Sequence, residues 1–566
     1  MKLKKLVICA ALASAVCLTA AGCGGRTPGG EKIDPHKTQL YVYNFAGGYG
    51  SDWLTALKTR FEEKHKNDTN WEEGKTGVQV FVSAEKDSIS DISSQILNNK
   101  EEVYFSEYAY YYTLKSQGVL GDITEAVTDK LTEYDESESI EDKLSREQKE
   151  YFGVSEGGGV KYYGVPHYAG YDGIVYNVDL FEKEGYYFAK TPSDNTRDGR
   201  FIDRYNTVKS AGPDGVEGTF DDGLPATYEE FFTLLSYIKD GGTTPVIWNG
   251  FNYQYYLQRL AQALQVNYEG VDQSMLNYTL RGEAKTLATV EGGNVSISAG
   301  EEVNDSTAWK LSKQAGKYYA LDFLYQLVTN NNYHNDLAFN PAYSHLDAQE
   351  DFINAGEDGK TKPAAMLVDG VWWQSEAGDA FDRMVAVKGE NYNEQNRNFA
   401  FMPLPKATRE KVNETANASA DSRYMLYDSI FSLCFMKANV ADWKRPLAID
   451  FIKFANTDES LNEFTKITNT VKALNYTVND ETKAQLTPFG KSLVQIKDAS
   501  QVVYPFSANS VYLNNQSFFQ VDSAFRATVG SKDHQFPAIA MRENNVSAEN
   551  YFKGMATYYQ KNWIVK

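Results

Sequence analysis

The sequence predicts an α/β protein with a mostly parallel sheet, and two observations carry that expectation. Short β-rich runs alternate with amphipathic stretches of helical period, and each run ends in turn residues that begin the next helix. No segment recurs at a period of roughly 20–50 residues, which argues against a solenoid. The first run is Gln39 to Asn44 (QLYVYN), followed by a turn through Gly47, Gly48 and Gly50. Ser51 or Asp52 is placed to cap a helix in which Trp53, Leu54, Leu57 and Phe61 share a face. Val78 to Ser83 is the second run. Asp87 or Ser88 then caps a helix with Ile89, Ile92 and Ile96 on one side. Val103 to Phe105 is the third run, and Tyr110 to Gln117 reads as helix. In such sheets ligands bind beyond the carboxyl ends of the strands. Asn44 to Tyr49, Ala84 to Asp87 and Ser106 to Tyr110 fall on that edge.

Further along, Asp129 to Lys149 reads as a solvated helical surface and Val160 to Asn177 as paired strands. Helices are predicted at Tyr228 to Lys239, Tyr255 to Leu264, Trp309 to Val328 and Trp443 to Ala455. Residues 281–306 and 406–422 are polar and read as loops.

The amino terminus reads as a secretory signal. Lys2, Lys4 and Lys5 precede the apolar run Leu6 to Leu18, and Ala20-Ala21-Gly22-Cys23 follows. That run is shorter than the roughly 20 residues a membrane-spanning helix needs. Ala-Ala-Gly-Cys resembles a bacterial lipobox, with Ala20 where Leu is usual. The resemblance implies cleavage after residue 22 and lipid on Cys23; the plain alternative is an ordinary cleaved signal. Residues 23–37 read as a flexible tether. Of the four cysteines, Cys9 and Cys17 fall in the signal, so Cys434 is left as a buried core thiol with no disulfide partner.

The chain has 566 residues and a formal charge of -20. That length implies more than one domain, and that charge argues against nucleic acid as a partner. Tyr, Phe and Trp make up 14% of residues, with 39 tyrosines leading. Tyrosine is amphipathic, so many should sit at half-wet surfaces.

The six histidines form no HxH or HExxH, and no Cys-x-x-Cys occurs. Neither a phosphate loop nor a G-x-S-x-G nucleophile elbow is present. No cofactor is required by this reading. Ala211 to Pro225 clusters the carboxylates Asp214, Glu217, Asp221 and Asp222 among glycines. That is a loop of the type that holds Ca²⁺, although its spacing is not an EF-hand's. A polar turn with solvated charges is the alternative.

Six segments, collinear through residues 38–566, resemble the extracellular solute-binding proteins of bacterial ABC importers, in the carbohydrate branch of the maltose-binding protein family. LYVYNFAGGYGSDWLTALKTRFEEKH resembles the first strand, ligand loop and helix of that family. EEVYFSEYAYYYTLKSQGVLGDIT resembles the third strand and its loop. YYGVPHYAGYDGIVYNVDLFEKEGY resembles the first crossing between lobes, and LPATYEEFFTLLSYIKDGGTTPV the next strand-to-helix passage. KPAAMLVDGVWWQSEA resembles the segment whose aromatic residue stacks on sugar, and FTKITNTVKALNYTV the late crossing.

The resemblance implies two α/β lobes joined by crossing hinge strands, with a ligand cleft between them. Residues 38–166 would form one lobe, with about 405–468 returning to it. Residues 167–404 would form the other, with about 469–566 returning. It implies a monomeric, lipid-anchored carrier on the outer face of the cytoplasmic membrane. Such a carrier catalyses nothing and hands a carbohydrate to membrane permease subunits. The rival from another class is a lipid-anchored glycoside hydrolase, which needs two carboxyls set about one bond.

A sugar presents C–H faces that suit aromatic rings and hydroxyls that need paired donors and acceptors. The matched segments mix both. The expected ligand residues are Asn44, Tyr49, Glu107, Tyr171, Asp172, Trp248, Tyr253, Asp369, Trp372, Trp373, Lys472 and Tyr512. For each aromatic the plain alternative is core packing, and for each polar residue a cap or loop role. Adjacent strand residues point to opposite faces, so one of Trp372 and Trp373 should face the cleft and the other the lobe.

Overall fold

Two four-stranded sheets organise the chain. Both arise where β-branched and aromatic residues run without a helical period. A computed structural model describes residues 31–86, 92–107, 110–193, 197–354, 356, 362–519 and 523–565. The signal, Cys23, and the helix start expected at Asp87 or Ser88 lie outside the described residues.

In the first sheet Thr38–Phe45 is central. It pairs in parallel with Val78–Glu85 on one side and with Val103–Ser106 on the other. Chain order thus reverses about the first strand, which leaves a crevice at its carboxyl end. The helix Asp52–Lys64 buries Trp53, Leu54, Leu57 and Phe61 against this sheet, the face its spacing predicts. Ser51 takes the N-cap position but its side chain makes no capping hydrogen bond. Leu433–Met436 returns to this sheet and pairs antiparallel with Val103–Ser106. Cys434 sits there, buried and free, with burial pushing its thiol up to about 12.

The second sheet runs in the order Phe399–Phe401, Asp172–Asn177, Ala364–Gly370, Thr244–Ile247. Asp172–Asn177 is antiparallel to both neighbours, and only the outer Thr244–Ile247 pairing is parallel. The expectation of a mostly parallel sheet therefore holds for the first sheet and fails for the second. Asp172–Asn177 arrives directly from a crossing strand rather than from a helix, so nothing forces it parallel.

Three segments pass between the sheets and bond to one another. Val165 and Cys434 exchange backbone hydrogen bonds at 2.8 and 3.0 Å. The Ala169 N–H donates to the Val471 carbonyl at 3.2 Å, and the Ser429 N–H to the Gly170 carbonyl at 2.8 Å. Val160 to Asn177, read as strands paired with each other, instead begins in a strand, Gly159–Tyr162, that pairs with the preceding Gly153–Glu156. It continues as this extended crossing and ends in Asp172–Asn177 of the second sheet.

Three further expectations are corrected. Residues 129–149 are not a solvated helical face: Leu131, Ile140, Lys143 and Leu144 are buried, and Lys143 binds Glu136 and Asp458. Residues 281–306 form two small antiparallel ribbons, and residues 406–422 contain the helix Arg409–Ala416. Polar composition hid both, because each buries only a thin apolar stripe against the second lobe. Among the described residues no helix is long and apolar enough to cross a membrane.

Candidate functional site

The carboxyl ends of the two sheets face each other across a cavity of about 420 Å³. From the first sheet, Phe45, Gly47 and Gly48 follow the central strand, and Glu107 follows Val103–Ser106. From the second, Trp372 and Glu376 follow Ala364–Gly370. Asn249, Asn252, Tyr255, Tyr256 and Arg259 follow Thr244–Ile247, the last three on the helix Tyr253–Thr279. His345 opens its own helix, and Ile430 comes from a crossing.

Glycines let the backbone close round Trp372. A Cβ on Gly370 would lie 2.2 Å from its ring, and one on Gly170 would lie 3.4 Å away. Gly48 has φ of +60°, a left-handed conformation that suits glycine, and packs on the Trp372 Cβ from the opposite sheet. The Arg259 guanidinium stands 6.0 Å from the Trp372 ring centroid.

The electrostatics are mainly acidic. Glu107 is 8% exposed, and no hydrogen bond or ion pair reaches its carboxyl among the described residues. Burial pushes it up to about 8; Arg259 opposes that shift and Glu376 adds to it. Glu376 is raised as well, by burial, and accepts hydrogen bonds from Gln349 at 3.1 Å and from the Gly48 backbone. One layer behind, Asp369 accepts from Gln349 Nε2 at 3.0 Å and from the Gly370 N–H at 2.7 Å. Burial and then Glu376 hold its carboxyl far above the usual range. Asp172 accepts from the Ser429 hydroxyl and lies 3.8 Å from Arg259.

Of the residues expected from sequence, Glu107 and Trp372 line the cavity. Trp373 is buried with its ring against Phe352, Phe399 and Phe489 at 5.2–5.6 Å between centroids. The pair does divide, but by a different device. The strand ends at Gly370, and the two tryptophans enter a helical turn, where neighbours diverge by the helix angle.

The remaining expected residues support the walls or lie apart. Asn44 holds the glycine turn through Gly50 O at 3.0 Å. The Tyr49 hydroxyl donates to Ala169 O at 3.2 Å and accepts from Thr470 at 3.4 Å, tying that turn to two crossings. Tyr171 is buried in its crossing, bridged to Asp428. Trp248 is fully buried and donates to Ala338 O at 2.7 Å. Tyr253 donates to Glu543 at 2.8 Å, and Tyr512 to Pro505 O at 2.9 Å. Lys472 lies under the first sheet, 2.6 Å from His167 Nδ1 and against the rings of Phe464 and Trp53.

Sequence reasoning missed Tyr255, Tyr256, Arg259, His345 and Glu376. A signal existed for one of them: Glu376 lies four residues after Trp372, one helical turn on. The others depend on which end of a helix meets the opposite sheet.

The acidic loop folds round its own donors. Asp214 accepts from the Val216 N–H at 2.7 Å and faces Arg423 at 3.3 Å. Asp221 accepts from the Asp214 N–H at 2.9 Å, Asp222 accepts from the Gly218 N–H at 2.9 Å, and Glu217 pairs with Lys190 at 2.7 Å. Among the described residues no group of three or more His, Cys, Asp or Glu side chains is arranged to hold a metal ion.

Neither a family model nor a curated protein sequence matches the chain. Solved structures do. A chitin oligosaccharide binding protein superposes with a TM-score of 0.52 at 15% identity, covering 93% of this chain and 98% of its own. A protein from work on xylan utilization by the thermophilic bacterium Caldanaerobius polysaccharolyticus gives 0.53 at 12%, covering 92% and 99%. The solute-binding protein RafE in complex with raffinose gives 0.51 at 13%, covering 93% and 99%. Over nearly its whole length, the chain has the fold of these carbohydrate solute-binding proteins.

Proposed function

We propose that the protein captures a carbohydrate between its two lobes and delivers it to the permease of an ABC importer. The observation that carries this reading is the cavity. It lies at the carboxyl ends of both sheets and joins a tryptophan and two tyrosines to carboxyl, amide and guanidinium groups. That mixture suits pyranose faces and hydroxyls. The crossings near 165–171, 428–432 and 468–472 act as the hinge between the two lobes. Ligand prefers the closed form, so binding shifts the population toward it. The protein works as a monomer, held outside the cytoplasmic membrane by lipid on Cys23.

A thermal-shift screen over an oligosaccharide panel tests binding, since a ligand that binds only the native state raises apparent stability. The expected result is a shift with intact ligand recovered. Released product would favour a glycoside hydrolase instead. Small-angle scattering should show compaction at saturating ligand. Cys23→Ser should release the protein from membranes; retention of that variant would refute the anchor.

A further inference from the structure

The cavity sets more acidic than cationic groups, and that imbalance bears on the ligand. Glu107 from the first sheet and Glu376 from the second face the same space. Asp369 and Asp172 stand behind them. Against these four carboxyls the wall sets Arg259, which already lies 3.8 Å from Asp172, and His345 at the rim. Lys86 acts on Glu376 from the first lobe. Glu107 is the telling group. It is more than nine-tenths buried and lines the cavity, and no donor reaches it among the described residues. A buried carboxyl left without a donor is costly, and the remedy nearest to hand is a donor brought by the ligand.

Resting on the carbohydrate reading above, we infer that the ligand is an amine-bearing saccharide, whose protonated amino group sits between Glu107 and Glu376 while Trp372 covers a ring face. An ammonium answers both needs at once. It donates three hydrogen bonds, and its charge offsets the repulsion between two carboxylates brought together from opposite lobes. The aromatic wall adds to this, because a cation is attracted to the face of an indole or phenol ring. Arg259 lies 3.8 Å from Asp172 and also acts on Glu107, one guanidinium set against four carboxyls. With Glu107 raised to about 8, the empty site holds a proton there near neutral pH. Binding the ammonium ionises that carboxyl, and the proton leaves to solvent.

Calorimetry on the full chain tests this with three probes: glucosamine oligomers, their N-acetylated counterparts and xylo-oligosaccharides. Glucosamine oligomers should bind at least roughly tenfold tighter than either neutral series. Their binding heat near neutral pH should depend on the buffer's ionisation heat in the sense of proton release. Glu107→Gln should abolish both the preference and the proton release while melting no earlier than the parent. Equal or tighter binding of a neutral series would overturn the inference and leave the carbohydrate reading standing. A preference that survives in Glu107→Gln would overturn the assignment to Glu107. If none of the three probes binds, the inference falls, and the wider oligosaccharide panel decides the carbohydrate reading.

Discussion

Glu107 and Lys472 are alike in position and unlike in what lies beyond them. Each follows or underlies the first sheet, each is almost wholly buried, and neither makes an ion pair among the described residues. Burial pushes both toward neutrality, Glu107 up to about 8 and Lys472 down to about 7. Glu107 opens on about 420 Å³ of space, whereas the cavity at Lys472 holds about 10 Å³. His167 and the rings of Phe464 and Trp53, at 4.5–4.8 Å, fill the surroundings of the lysine. A buried ionisable group marks a ligand site where space remains beside it. Where rings and a histidine close the space, it is a strained part of the core. Trp372 and Trp373 repeat the contrast one residue apart.

The largest expected effect falls on the closed side of that contrast. Trp373→Ala should lower stability by about 3–5 kcal/mol, because a fully buried indole leaves a cavity its rigid aromatic neighbours cannot fill. Chemical denaturation checks this, and a loss below about 1 kcal/mol would mean the site collapses freely.

Lys472 comes next, through pH. Its folded pKa of about 7 lies below the ordinary 10.5, so between these values the unfolded chain holds a proton that the folded chain has lost. Stability should therefore rise with pH across that window, by about 2–4 kcal/mol. Lys472→Met should flatten the rise. Glu107 carries the opposite sign. Its folded value is raised, so its contribution should fall as pH climbs from about 4.5 to about 8, and Glu107→Gln should remove that fall. Denaturation midpoints across pH for both variants would break the comparison if the two slopes shared a sign.

Trp372→Ala tests the open side. It should weaken ligand binding by about 2 kcal/mol while the melting curve moves far less than for Trp373→Ala. Calorimetry with the identified sugar decides it, and wild-type affinity would discard the stacking role.

Gly370→Ala sharpens the same point with less force. A methyl group 2.2 Å from the Trp372 ring must turn the ring or shift the strand end. Affinity should drop by about 1 kcal/mol or more. An unchanged affinity would show that the ring orientation does not matter. The smallest effect is expected at the acidic loop. Arg423, Lys190 and backbone donors already engage its carboxyls, so excess Ca²⁺ and chelator should give the same melting temperature. A rise with Ca²⁺ would reinstate a metal there.

Much of the architecture was legible in the chain itself, because it rests on local periods. The runs at 39–44, 78–83 and 103–105 alternate with a helix whose Trp53, Leu54, Leu57 and Phe61 share one face, and those elements form as read. The glycines at 47, 48 and 50 marked the edge where a ligand loop turns, and that loop does border the cavity. Glu107 and the paired tryptophans stood out because they fall in segments that resemble those of carbohydrate solute-binding proteins and mix carboxyl with aromatic groups. Tertiary structure alone decided the rest. The antiparallel second sheet follows from a crossing strand whose direction no local pattern encodes. Tyr255, Tyr256 and Arg259 become a wall because the start of their helix meets the other lobe, and Trp248 and Lys472 become core because neighbours distant in sequence close over them. Periodicity reports which face of an element is buried. Whether a buried face meets side chains or open space depends on residues hundreds of positions away, and that choice separates Glu107 from Lys472.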